Sequence, residues 1–226
     1  MNKPIAIVTG ASRGLGLALT AGLVERGWHV IADARDEVAL HQALSVLGPD
    51  VTIVAGDIID RRHRSALVAA AAGPIDLVVN NAGGLGPSPL PQLAAVGLED
   101  VEALLAVNLV APLGLIQIAL PHLAPGAAIV NITSDASIEA YPGWGVYGLT
   151  KAALDHMGAV LAAEHPDVRV LAIDPGDMRT QMHQDAFPGE DISDRPGPES
   201  SVPSILELID GDQPSGRYRA TEQTTS

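Results

Sequence analysis

The chain has 226 residues, no cysteine and a formal net charge of -14, with an isoelectric point near 4.7. That length suits one α/β domain with a substantial core, the missing cysteines exclude a disulfide framework, and the acidity disfavours nucleic acid or an anionic membrane as partner. The opening MNKPIAIVTG reads as a strand rather than an export signal, so a soluble cytoplasmic protein is expected.

In chain order, short apolar runs rich in β-branched residues predict strands at Ile5–Val8, Val30–Ala34, Val51–Ala55, Leu77–Asn80, Ala128–Ile132 and Val168–Ile173, with a last short one at Arg217–Ala220. Between them, helices are predicted at Leu15–Arg26, Glu37–Leu47, Arg61–Ala71, Glu99–Leu120, Val146–Glu164 and Ser201–Ile209. This alternation predicts a single doubly wound α/β domain over residues 1–220, a parallel sheet of about seven strands with helices on both faces. Within it, residues 177–203 have the Pro, Gly and acidic composition of a mobile substrate loop, and 221–226 read as a polar tail. The Glu99–Leu120 segment is interrupted by Glu102, Asn108, Pro112 and Gln117, which argues against a membrane span. It is nevertheless apolar on more than one face. One sheet cannot cover both, so a homodimer or homotetramer packed through this helix and Val146–Glu164 is expected.

Tyr147 and Lys151 stand four residues apart in YGLTK, so on a helix they project from one face into one small volume, with Ser134 upstream in ITS. A free phenol has a pKa of about 10, and bringing it near 7 takes roughly 4 kcal/mol, which one cation about 4 Å away supplies at an effective dielectric near 20. Lys151 is the candidate cation, Tyr147 the candidate acid/base, and Ser134 the group that would orient a reacting oxygen. Asp135 adds a negative charge beside them and is expected to point away.

At the start of the chain, Gly10, Gly14 and Gly16 separate the first strand from the first helix, in the pattern that lets a pyrophosphate approach amide groups at a helix N-terminus. The same stretch, Gly10-Ala11-Ser12-Arg13-Gly14, also fits a G-x-S-x-G nucleophile elbow, for which Ser12, Asp174 and His183 would be the hydrolase set. That alternative leaves Ser134, Tyr147 and Lys151 unexplained. The seven histidines show no metal-ligand spacing, so no catalytic metal is expected.

From about Lys3 to Ile209 the chain resembles the short-chain dehydrogenase/reductase family. Its cofactor turn T-G-x-x-x-G-x-G matches Thr9, Gly10, Gly14 and Gly16, its N-N-A-G matches Asn80, Asn81, Ala82 and Gly83, and its P-G after the sixth strand matches Pro175 and Gly176. Its active tetrad falls on Asn108, Ser134, Tyr147 and Lys151, with Asn108 implied to hold a water joining Lys151 to solvent. The resemblance implies a Rossmann-type fold and an NAD(P)-dependent oxidoreductase acting on CH–OH or C=O groups of a small molecule. Implied cofactor contacts are Thr9, Gly10, Ser12, Arg13, Gly14, Leu15, Gly16, Asn81, Ala82, Gly83, Tyr147, Lys151, Pro175, Gly176, Met178 and Thr180, with Asp57 and Ile58 at the adenine. In IADARDE, Ala34 occupies the place of the NAD-type aspartate and Arg35 the NADP-type place, while Asp33 is one residue early and faces away, which favours NADP(H) over NAD(H). Trp144, Tyr141, Gly84, Leu85 and His183 are candidates for the substrate pocket. The abbreviated C-terminus after Arg217 departs from the family pattern and puts tetramer contacts through that edge in doubt. A non-catalytic NAD(P)-binding sensor or scaffold of the same fold is the alternative function.

Overall fold

In the computed structural model, which describes residues 3–220, all seven strands run parallel in the order β3-β2-β1-β4-β5-β6-β7. The strands are β1 Ile5–Val8, β2 His29–Ala32, β3 Val51–Ile53, β4 Ile75–Asn80, β5 Leu123–Ile132, β6 Arg169–Asp174 and β7 Gly216–Arg219. The expected tail 221–226 lies outside the described residues. β1 is buried along its whole IAIV run, as a central strand covered on both faces must be. Strand order reverses between β1 and β4, opening a crevice at the carboxyl ends of the strands where α/β sheets take their ligands.

Eight α-helices alternate with the strands: α1 Gly14–Glu25, α2 Glu37–Leu44, α3 Arg61–Ala69, α4 Leu98–Leu105, α5 Ala111–Ala119, α6 Gly145–Glu164, α7 Gln181–Ala186 and α8 Val202–Asp210. One face of the sheet buries Leu15, Leu19 and Leu23 of α1, Leu40 and Leu44 of α2, and Ile205 and Ile209 of α8. The other buries Leu67 of α3, Leu115 and Ile116 of α5, and Leu161 of α6. The doubly wound parallel sheet expected from the alternation is therefore present.

Beyond shifts at the strand ends, the largest being β5 starting at Leu123 rather than Ala128, three features differ from the sequence expectation. The second helix stops at Leu44 and gives way to a tight turn, because Gly48 takes φ +77° and Pro49 follows it. The expected Glu99–Leu120 helix is two helices joined by a π-turn at Ala106–Val110. Pro112 has no N–H to give the Asn108 carbonyl, so the regular α ladder fails at that step. The substrate loop is not wholly irregular: it contains α7, whose first turn is capped by Thr180 accepting from His183 N. The stretch Leu98–His122 is long and apolar enough by length and hydropathy to cross a bilayer. Here its Ala111, Leu115, Ile116 and Ala119 are buried against the sheet.

Candidate active site

The glycine turn after β1 is shaped by contact. Gly10 has φ +70°, and a Cβ on Gly16 would lie 2.2 Å from the Gly10 carbonyl oxygen and 2.5 Å from Asn81 Nδ2. No larger residue fits at position 16 without moving main chain. Thr9 donates its hydroxyl to Val79 O and accepts from the amides of Asn81 and Ala82, while Asn81 Nδ2 donates to Thr9 O and Gly10 O. Thr9 and Asn81 thus knit the turn to the end of β4. The α1 N-terminus, by contrast, has Arg13 at its cap position with no side-chain capping bond, leaving its first amides open to an anion. Leu15 has its side chain in the core, so only its main chain faces the turn.

Asp33 is 1% exposed, with one oxygen accepting from Gly10 N at 2.8 Å and the other bound to His63 Nε2 at 2.9 Å. Both oxygens are engaged, and the residue braces the glycine turn against α3. Arg35 stands exposed just beyond. Asp57 is exposed and accepts from Ile59 N, whereas the helix-capping acid of α3 is Asp60. The Ile58 carbonyl accepts from the buried Arg64 guanidinium.

Across the crevice, Ser134 follows β5 and opens a short turn at Asp135–Ser137, while Tyr147 and Lys151 lie on successive turns at the start of α6. A Cβ on Gly148 would stand 2.4 Å from the Ala136 carbonyl oxygen. This missing side chain lets α6 sit directly on the Ser134 turn, which brings Tyr147 beside the serine. Lys151 is 5% exposed, donates from Nζ to Ile132 O at 2.7 Å, and holds its ammonium 5.5 Å from the Tyr147 ring centroid. Asn108, in the π-turn, accepts from Gly84 N and donates to Gly84 O and Thr150 Oγ1. Its side-chain N–H groups are both engaged, so a water there would be held by its main-chain carbonyl, freed by Pro112, rather than by the side-chain amide.

The electrostatics correct two expectations. Burial pushes the Tyr147 phenol well above its ordinary range, with the Ser134 hydroxyl working the other way and Asp135 and Asp174 adding to the rise. The expected lowering of the phenol by Lys151 is not what governs it: desolvation of the 8%-exposed ring is the largest influence, and it acts upward. Burial also lowers Lys151, to about 8, against the opposing effect of Asp155. Asp135, expected to point away, turns inward: it accepts from Ser134 Oγ at 3.1 Å and from Tyr141 OH at 3.2 Å. The protein by itself therefore presents a neutral phenol, ready to give a proton.

Trp144, Leu85, Tyr147 and Phe187 form one apolar cluster, with Trp144 edge-on to Tyr147 at 5.6 Å and tilted against Phe187 at 5.9 Å. His183 packs its ring on Phe187 at 5.0 Å. The hydrolase alternative is not assembled: Asp174 accepts from Gly176 N and pairs with Arg217. Thr180, from the loop, has its methyl 3.6 Å from where a Gly14 Cβ would be, so the loop closes toward the glycine turn. Sequence reasoning missed Arg217, Asp155, His63 and Arg64. Only an unusual pairing of buried charge could have signalled the last two, and nothing local marks the first two.

A profile of the short chain dehydrogenase family matches residues 4–191. The chain is 34% identical over 216 residues to benzil reductase ((S)-benzoin forming) IRC24 of Saccharomyces cerevisiae, covering 90% of this chain and 80% of that one. It is 36% identical over 199 residues to sepiapterin reductase of Mus musculus, covering 80% of this chain and 76% of the relative. Among solved structures, a putative short chain dehydrogenase from Escherichia coli CFT073 complexed with NADPH superposes with a TM-score of 0.89 at 29% identity, over 98% of both chains. With the glycine cradle and the Ser134, Tyr147 and Lys151 cluster facing one crevice, the protein belongs to the short-chain dehydrogenase/reductase family of NAD(P)-dependent oxidoreductases.

Proposed function

We propose that this protein is an NADPH-dependent reductase of small or medium carbonyl compounds, with Tyr147 as the proton donor. The observation that carries this reading is the buried Tyr147 phenol beside Ser134 and Lys151. The uncapped amides at the start of α1, held in place by the close-packed glycine turn, suit a dinucleotide's pyrophosphate, and its nicotinamide, when bound, would supply or accept hydride. Main-chain groups of Ser12 to Gly16 would bind the pyrophosphate, with Ala82, Gly83, Pro175, Gly176, Met178 and Thr180 toward the nicotinamide end, and Asp57 and Ile58 N at the adenine.

The Ser134 hydroxyl, turning its one proton from Asp135 to the substrate, would orient the carbonyl oxygen by hydrogen bonding. Tyr147 then donates its phenolic proton to that oxygen, becoming phenolate. The Lys151 ammonium stabilises the phenolate as it forms, and the Asn108 main-chain carbonyl would hold the water that returns a proton. Alcohol oxidation is the same path reversed, with a phenolate as base. Trp144, Leu85 and Phe187 offer the substrate an apolar wall.

Preference for NADPH is supported by the two engaged oxygens of Asp33 and the exposed position of Arg35 beyond it, which has no ion pair among the described residues. A homodimer is supported by Leu149 and Val160, which are 48% and 41% exposed and lie on one face of α6, together with Val110 at 56%. The test is a carbonyl and alcohol panel read by cofactor absorbance with NADPH and with NADH. Turnover of at least one carbonyl, faster with NADPH, is expected; no turnover of any carbonyl or alcohol with either cofactor would contradict the reading.

A further inference from the structure

Arg217 lies on β7, the edge strand, yet its side chain reaches into the molecule. Its Nη2 donates to the main-chain carbonyl of Ser134 at 3.0 Å and to Asp174 Oδ2 at 3.3 Å, and its Nε donates to Asp155 Oδ2 at 3.2 Å. Each partner belongs to a different piece of the site. Ser134 opens the turn after β5. Asp155 stands one helical turn beyond Lys151 on α6. Asp174 ends β6 and accepts from Gly176 N, which shapes the Pro175–Gly176 turn. The Asp174 side chain is 4% exposed and Asp155 17%, so these are largely desolvated pairs rather than surface ones. Arg219 also approaches Asp174, at 4.0 Å, but is 64% exposed and compensates weakly.

We infer that Arg217 is a positioning residue for the reaction, a single planar guanidinium that fixes the Ser134 turn, the Lys151 helix and the Pro175–Gly176 turn in one geometry while offsetting the Asp155 and Asp174 charges. This rests on the proposed roles of Ser134, Tyr147 and Lys151. A lysine cannot make the three directed bonds that the fork of an arginine makes. The carboxylates that act on the Tyr147–Lys151 pair are Asp155 on α6, Asp135 in the turn after β5 and Asp174 on β6; Arg217 on β7 pairs with Asp155 and Asp174, and Arg219 also approaches Asp174. Removing Arg217 leaves Asp155 without its guanidinium and Asp174 with only the exposed Arg219, which favours the Lys151 ammonium and disfavours the Tyr147 phenolate.

The test compares wild type, Arg217→Met and Arg217→Lys. In the cofactor-free protein, Lys151 is titrated by side-chain NMR of isotope-labelled lysine, with Lys151→Met to assign the signal; Lys3 is the only other lysine. Arg217→Met is expected to move the Lys151 titration upward by roughly half a pH unit or more. In the enzyme it should lower kcat by about tenfold to a hundredfold while the KM for NADPH changes by less than about threefold. Arg217→Lys should restore the titration but not kcat. An unmoved titration with unchanged kcat per folded molecule, accompanied only by a lower Tm, would overturn the inference. So would an Arg217→Lys enzyme with wild-type kcat, an arm that stands even where Arg217→Met fails to fold. Should wild type show no nicotinamide-linked turnover, the functional reading fails, and the titration still decides the electrostatic role of Arg217.

Discussion

Adding one methyl group at position 148 tests whether catalysis depends on how closely α6 sits on the Ser134 turn. In Gly148→Ala the new Cβ would stand 2.4 Å from the Ala136 carbonyl oxygen, with main chain on both sides of the contact. Ordinary carbon–oxygen contact requires about 3.3 Å, so helix and turn must separate by roughly 1 Å. Alanine gains about 1 kcal/mol of helix propensity over glycine, and forced overpacking costs about 1–3 kcal/mol, so net stability should fall by no more than about 2 kcal/mol. The same displacement carries Tyr147 away from Ser134, and a misplacement of that size costs about a hundredfold in rate. The expected signature is a modest loss of Tm with kcat reduced by about two orders of magnitude, measured by steady-state carbonyl reduction beside thermal unfolding. A variant with wild-type kcat would show that the close approach is packing without consequence for the chemistry.

Cofactor choice separates two residues two positions apart. Arg35→Ala should raise the KM for NADPH by about tenfold and leave NADH unaffected, since a charge-assisted bond to a phosphate is worth about 1.5–3 kcal/mol, whereas Asp33→Asn should weaken both cofactors together by loosening Gly10; initial rates with each cofactor check this. Lys151 is held near 8 in the fold against 10.5 unfolded, so its contribution to stability is present above pH 10.5 and lost as pH falls through about 8. Urea titrations should therefore show wild type gaining about 3 kcal/mol relative to Lys151→Met between those limits, and a pH-independent difference would refute it. Asp135 raises Tyr147, so Asp135→Asn should shift the basic requirement for alcohol oxidation to lower pH; a profile unmoved or moved upward would contradict its inward orientation.

Much of the frame is legible because its signals are local. The IAIV run, the glycines at 10, 14 and 16, and the four-residue spacing of Tyr147 and Lys151 each act within one strand, turn or helix, and the structure carries them at those places. The helix break at Asn108 was also written locally, in Pro112, but a proline near an apolar helical run reads first as a tolerated kink rather than as a cause of a π-turn. The orientation of Asp135 was not legible. Adjacent residues leaving a strand alternate sides only while the strand continues, and Ser134 already opens a turn. Nor was the sign of the Tyr147 shift, because a pairwise estimate from Lys151 omits the burial that the surrounding fold imposes. Arg217 was invisible for a simpler reason: its partners Ser134, Asp155 and Asp174 lie on three other elements and meet it only when β7 joins the sheet edge.

The most direct test of the central claim is the pair of measurements on Tyr147→Phe: NADPH affinity by fluorescence, and kcat for the best carbonyl substrate of the panel. A proton donor positioned but not required for cofactor binding predicts affinity within about threefold of wild type and kcat lower by about 10² to 10⁴. Turnover within about tenfold of wild type would show that the phenol does not deliver the proton.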